Sequence, residues 1–122
     1  MKEKQNSGKA LCEAAQIYIE AHSADKFSLD EISKALFVNG SYLLRAFKRH
    51  TGMTLLCYHH RVRCAKAKSL LTDTSLSVSQ VGESVGFVSS SHFSHIFRKT
   101  EGCTPSEYRK QHKPDDEERS DP

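Results

Sequence analysis

The sequence predicts an all-α protein in which a short-helix, turn, basic-helix unit occurs twice, with a long helix between the copies. Three observations carry this. The segments SLDEISKALFVNGSYLLRAFKRHTGMTLLCY (28–58) and SVSQVGESVGFVSSSHFSHIFRKTEGCTPSEY (77–108) repeat one pattern. Ser28, Ile32 and Leu36 stand 49 positions before Ser77, Val81 and Val85. After one inserted residue, Leu43, Phe47, Gly52, Thr54 and Tyr58 stand 50 before Phe93, Phe97, Gly102, Thr104 and Tyr108. Second, helix punctuation is dense while strand signals are scarce. Third, no acid occurs between Glu31 and Asp73, yet eight bases do: Lys34, Arg45, Lys48, Arg49, Arg61, Arg63, Lys66 and Lys68. A solvated helix face usually mixes both signs, so a stretch of this kind points to a polyanionic partner.

The elements follow in order. Residues 1–9 are expected to be an N-terminal extension. Leu11, Ala14, Ala15 and Tyr18 recur at helical spacing and predict an amphipathic helix over about 9–22. Ser28 with Glu31 is a capping box that opens a helix carrying Ile32, Ala35 and Leu36. Asn39-Gly40 reads as the turn before the first basic helix, and Gly52 suits a left-handed helix end. The first unit therefore runs over about 28–52. A connecting helix over about 54–71 spans roughly 27 Å at 1.5 Å per residue and reads as a stiff spacer. A polar loop (72–76) leads to Ser77-Gln80, a second capping box, and a second unit over about 77–101 that Gly102 closes. Thr104-Pro105-Ser106-Glu107 opens a last short helix over about 104–112. The tail, 113–122, is acidic, has no apolar anchor and is expected to be disordered.

Bulk composition bounds the rest. With 37% hydrophobic residues and no Trp among 122, two small cores are expected rather than one large one. The net charge of +3 understates the basic character, because residues 1–112 alone hold 16 bases against 10 acids. No apolar run approaches the roughly 18 residues of a membrane span, and MKEKQNSGK has no apolar signal segment. A cytoplasmic protein with no membrane partner is expected. Cys57, His60 and Cys64 can share a helix face but lack an obvious fourth ligand, so no metal and no cofactor are expected, and the cysteines read as reduced thiols. Ser and His stand side by side at Ser91-His92, a pairing that can be catalytic. Its members point about 100° apart on a helix with no orienting carboxylate nearby, so the protein is not expected to be an enzyme.

Each basic helix carries a buried stripe: Leu43, Ala46 and Phe47 in the first, Phe93, Ile96 and Phe97 in the second. The opposite faces carry the candidate chemistry, with Ser41, Leu44 and Arg45 placed to face bases and Lys48 and Arg49 to meet phosphates. In the second helix Ser90, Ser91, Ser94 and His95 take the base-facing places, and Arg98 and Lys99 the phosphate ones. Such helices suit the major groove of double-stranded DNA. Arg45 is placed to donate bidentately to guanine, and Leu44 to meet a thymine methyl. His95, 50 residues after Arg45, can donate or accept.

The stretches SYLLRAFKRHTGM (41–53), RVRCAKAKSLL (61–71), VGFVSSSHFSHIFRK (85–99) and GCTPSEYR (102–109) resemble the DNA-binding domain of the AraC/XylS family of bacterial transcription factors. The resemblance covers about residues 10–112. It implies seven helices, two helix-turn-helix units and a monomeric domain that enters two adjacent major-groove segments. It also implies transcription regulation, activation by family habit, with RNA polymerase as a partner. The alternative is an adaptor on the transcription machinery that reads no bases. Gly82 stands where the family usually has Ala, with Ser33 at the equivalent place in the first unit. Gly costs about 1 kcal/mol of helix propensity there, which is expected to loosen the second unit. His59 stands where an aliphatic residue is usual, and His92 and His95 replace an aromatic and an Arg. Weak base reading by the second helix, acting mostly as a phosphate anchor, is the expected consequence. Most family members carry a sensory domain for which this chain has no room. It is therefore either a stand-alone regulator, which the initial Met and acidic tail favour, or the output domain of a longer protein.

Overall fold

A computed structural model describes residues 2–112, with side chains from Gly8 onward. The acidic tail lies outside the described residues. Seven helices and no strand occur among them: α1 (Lys2–Ala21), α2 (Leu29–Ala35), α3 (Gly40–Thr51), α4 (Leu55–Asp73), α5 (Val78–Ser84), α6 (Ser90–Glu101) and α7 (Pro105–Gln111). Helix α1 begins at Lys2, so the expected extension over 1–9 is helical almost throughout. The chain divides into two compact units between Val62 and Arg63, inside α4.

In the first unit, Leu11, Cys12, Ala15 and Ile19 of α1 pack with Ile32 of α2 and with Leu43, Ala46 and Phe47 of α3, and Leu55 of α4 completes the core. Tyr58 sits edge-on to Phe47 at 5.7 Å, and its hydroxyl donates to Glu20 at 2.7 Å, tying α4 to α1. Burial, and the hydrogen bond and charge of Glu20, push the Tyr58 phenol up to about 12. His59 is also buried here, edge-on to Phe27 at 5.3 Å.

The second unit repeats the plan. Cys64, Ala67 and Leu71 of α4 pack with Val81, Val85, Phe87, Phe93, Ile96 and Phe97. Tyr108 sits edge-on to Phe97 at 5.7 Å, as Tyr58 does to Phe47. The Arg109 side chain donates to the Leu71 carbonyl at 2.9 Å and the Thr74 carbonyl at 3.4 Å, supplying partners at the α4 C-terminus and stapling α7 to it. Buried Cys12, Ala15 and Ile19 stand 52 positions before buried Cys64, Ala67 and Leu71. The duplication thus extends to the long helix that precedes each pair.

The caps set the boundaries. Ser28, Asn39, Ser77, Ser89 and Thr104 each accept from the backbone N–H three residues on. The return bond of the capping box forms at Gln80 and Glu107; among the described residues Glu31 does not make it. The bonds from Thr104 hold the Glu107 carboxyl below the usual carboxylate range, with Arg98 adding a smaller pull. That cap contributes stability at neutral pH and loses it as pH falls through the carboxylate range. Gly52 and Gly102 close α3 and α6 at φ 82 and 85.

The turns differ between repeats. The N–H groups of Phe37 and Val38 donate to Lys34 and Ser33, as those of Gly86 and Phe87 donate to Glu83 and Gly82. Both are Schellman-type helix ends that need a left-handed residue. Gly86 supplies it at φ 108; the first unit uses Phe37 at φ 58, with its ring 93% exposed. A non-glycine residue there costs about 1–2 kcal/mol, partly offset by the greater unfolded-state freedom of glycine. Phe37→Gly is therefore expected to stabilise the first unit by about 0.5–1 kcal/mol, since almost no packing is lost. Urea unfolding checks this, and a lower midpoint would show that the ring makes a stabilising contact.

Candidate nucleic-acid interface

Helices α3 and α6 have the same length and stand at an offset of 50. In α3, Asn39 Oδ1 accepts from the Tyr42 N–H at 3.1 Å. Leu43, Ala46 and Phe47 turn inward, while Ser41, Leu44, Arg45, Lys48 and Arg49 are exposed. Ser41, Arg45 and Lys48 follow each other at i, i+4 and i+7, so they form one stripe about 10 Å long. Leu44 lies beside it and remains 40% exposed.

In α6, Ser89 Oγ accepts from the His92 N–H at 3.0 Å. Phe93, Ile96 and Phe97 are buried, and Ser90, Ser91, His95, Arg98 and Lys99 are exposed. Ser94 is half-buried. Ser91, His95 and Arg98 repeat the stripe of Ser41, Arg45 and Lys48. His92 packs edge-on against Phe87 at 5.4 Å, so it braces the turn beneath the helix.

Among the described residues no ion pair engages Arg45, Lys48, Arg49 or Lys99. Their charges face solvent, which is the state that favours capture of phosphates by counterion release. Not every base of the acid-free stretch is of this kind. Arg63 is only 6% exposed, with its guanidinium 5.0 Å from the Phe87 ring centre. It acts as a cation over an aromatic face inside the second unit. Lys68 pairs with Glu101 at 3.1 Å, and Lys34 with Asp30 at 3.2 Å. Arg61 donates to Met53 Sδ at 4.0 Å, and Arg63, Lys68 and Lys34 are likewise engaged within the protein. Their partners in two cases lie 24 and 33 residues away, beyond the reach of a local charge reading.

The remaining candidates fall into place by burial. Cys64 is buried, and that burial pushes its thiol up to about 11; Cys57 is exposed. The two therefore do not form a shared ligand set with His60. Among the described residues no three His, Cys, Asp or Glu side chains gather to hold a metal ion. Likewise, no helix among the described residues is long and apolar enough to cross a membrane. Gly82 has a packing reason: a Cβ there would meet Phe93 Cδ2 at 2.7 Å and Cγ at 2.8 Å. The close helix contact, not a loosened one, accounts for the glycine.

The model of a helix-turn-helix domain matches residues 32–111. An uncharacterised HTH-type transcriptional regulator of Bacillus subtilis, YisR, is 36% identical over 98 residues, covering 80% of this chain and 34% of its own length. The crystal structure of a transcriptional regulator from Chromobacterium violaceum, described as an AraC-type DNA-binding domain-containing protein, is 32% identical with a TM-score of 0.81. That match covers 88% of this chain and 96% of the other. The DNA-binding domain of AdpA, solved in complex with a target DNA, is 25% identical with a TM-score of 0.73, covering 83% and 90%. The chain spans about a third of the length of the curated relatives it matches. With a helix-turn-helix match over most of its length and a 32%-identical AraC-type domain covered almost completely, the chain belongs to the AraC-type family of helix-turn-helix DNA-binding domains.

Proposed function

We propose that the chain binds double-stranded DNA in a sequence-dependent way and regulates transcription, with α3 and α6 entering adjacent major-groove segments. One observation carries the reading. Two capped helices present equivalent stripes, Ser41–Arg45–Lys48 and Ser91–His95–Arg98, opposite equivalent buried faces. A repeated reader matches a repeated polymer, and the polar-then-basic order matches base edges flanked by phosphates. In this reading Ser41, Leu44 and Arg45, with Ser90, Ser91, Ser94 and His95, face bases. Lys48, Arg49, Arg98 and Lys99 neutralise phosphates. The domain binds as a monomer in the bacterial cytoplasm, and contact with RNA polymerase makes it an activator.

Affinity for a duplex selected from a randomised pool, measured against salt concentration, tests the reading. A steep fall with salt is expected, together with a preferred asymmetric site about two turns long. Lys48→Ala should weaken all duplexes alike and lower the log–log salt slope by about 0.9. An unchanged slope would remove Lys48 from the phosphate set. A pool that returns no preferred sequence would favour an adaptor that uses the same helices without reading bases.

A further inference from the structure

Leu44 is an apolar side chain left 40% exposed on the face of α3 that is otherwise Ser, Arg and Lys. Its neighbours Leu43, Ala46 and Phe47 are buried, so the inward stripe is complete without it. Arg45 follows directly, exposed and outside any ion pair among the described residues. Successive helix residues lie about 100° and 1.5 Å apart. The two side chains diverge but leave the same turn of α3, so they can reach neighbouring base pairs.

The major groove offers one apolar group, the C5 methyl of a pyrimidine, and one paired-acceptor edge, guanine O6 with N7. We infer that Leu44 and Arg45 act together as a reader of a 5-methylpyrimidine beside a guanine. This rests on the proposed DNA reading. The second unit lacks the device: Ser94 and His95 occupy the corresponding places, and Ser94 is half-buried. Methyl sensitivity is therefore confined to the half-site that α3 reads. Two pyrimidines carry that methyl in duplex DNA, thymine and 5-methylcytosine, and both satisfy the same contact.

The test starts from a duplex selected by the chain from a randomised pool. Each thymine is replaced singly by deoxyuridine, and the affinity is measured for the chain and for Leu44→Ala. At one thymine in one half-site, loss of the methyl should weaken the chain about four-fold, the effect of one buried methyl group. Leu44→Ala should bind the two duplexes equally, and Leu44→Met should retain the difference. At the same position, a 5-methylcytosine·guanine pair should bind more tightly than cytosine·guanine by a similar factor. If only the thymine–uracil difference appears, the ligand is thymine alone. Replacing the neighbouring guanine by 7-deazaguanine should weaken the chain but not Arg45→Ala. Absence of any uracil-sensitive thymine, or full sensitivity in Leu44→Ala, overturns the inference. A pool that yields no selected duplex instead overturns the proposed DNA reading, so the two failures are distinct.

Discussion

Gly82→Ala is expected to destabilise the second unit by about 1–2 kcal/mol, although alanine is the better helix former. The added Cβ would lie 2.7, 2.8 and 3.0 Å from Cδ2, Cγ and Cβ of Phe93. Overpacking of this kind costs about 1–3 kcal/mol, while helix propensity returns about 1 kcal/mol. Phe93 is fully buried, and its Cβ and Cγ are anchored to α6, so the ring cannot swing away to relieve the contact. The clash therefore outweighs the propensity. The first unit shows the complementary solution, with Ser33 at the place of Gly82 and Leu43 at the place of Phe93. A smaller partner there leaves room for a larger helix residue. Phe93→Leu introduced on top of Gly82→Ala should thus recover part of the loss, visible as non-additivity in a double-mutant cycle. Chemical unfolding provides the measurement. A Gly82→Ala protein that unfolds at higher denaturant would mean that propensity, not packing, governs the position.

Arg45→Ala should reduce discrimination at one base pair by about 1–3 kcal/mol, roughly five- to 150-fold, while leaving binding to unrelated duplexes only slightly weakened. The asymmetry follows from the kind of contact. A guanidinium fork matched to guanine O6 and N7 distinguishes that base from the other three, whereas a phosphate contact cannot. Arg45 is exposed at the centre of the Ser41–Lys48 stripe and is in no ion pair among the described residues. Nothing within the protein has to be broken to use it. Competition between the selected duplex and single-position variants reads the effect directly. If Arg45→Ala keeps the full preference at every position, Arg45 is a phosphate ligand and the base-reading assignment fails.

Much of this architecture was legible because the chain states it twice. The offsets of 49 and 50 recur in the bounds of α2 and α5, and of α3 and α6, because Ser28 and Ser77, Asn39 and Ser89, and Gly52 and Gly102 cap and close the elements at equivalent places. The buried stripes were legible from helical periodicity alone. The start of α1 was not, since KEKQNSGK has neither an apolar period nor a cap before it. The duplication of the long helices was also hidden. Cys12 and Ala15 recur as Cys64 and Ala67, and Ile19 as Leu71, but at a third offset of 52 and without a shared cap or closing glycine to mark the register. The fate of Arg63 and Lys68 depended on Phe87 and Glu101, which only folding brings near. The left-handed Phe37 did have a signal, its alignment with Gly86, but a bulky residue conceals the backbone need that glycine would announce.

The central claim is that two equivalent helices read one duplex. Guanine-methylation interference on the selected duplex examines it most directly, because methyl groups at guanine N7 obstruct the major groove and leave the phosphates untouched. Two separate clusters of interfering guanines are expected. Substitutions in α3 should erase only one cluster and substitutions in α6 only the other. A single cluster insensitive to α6, or a chain that fails to retain any duplex at low ionic strength, would contradict the account.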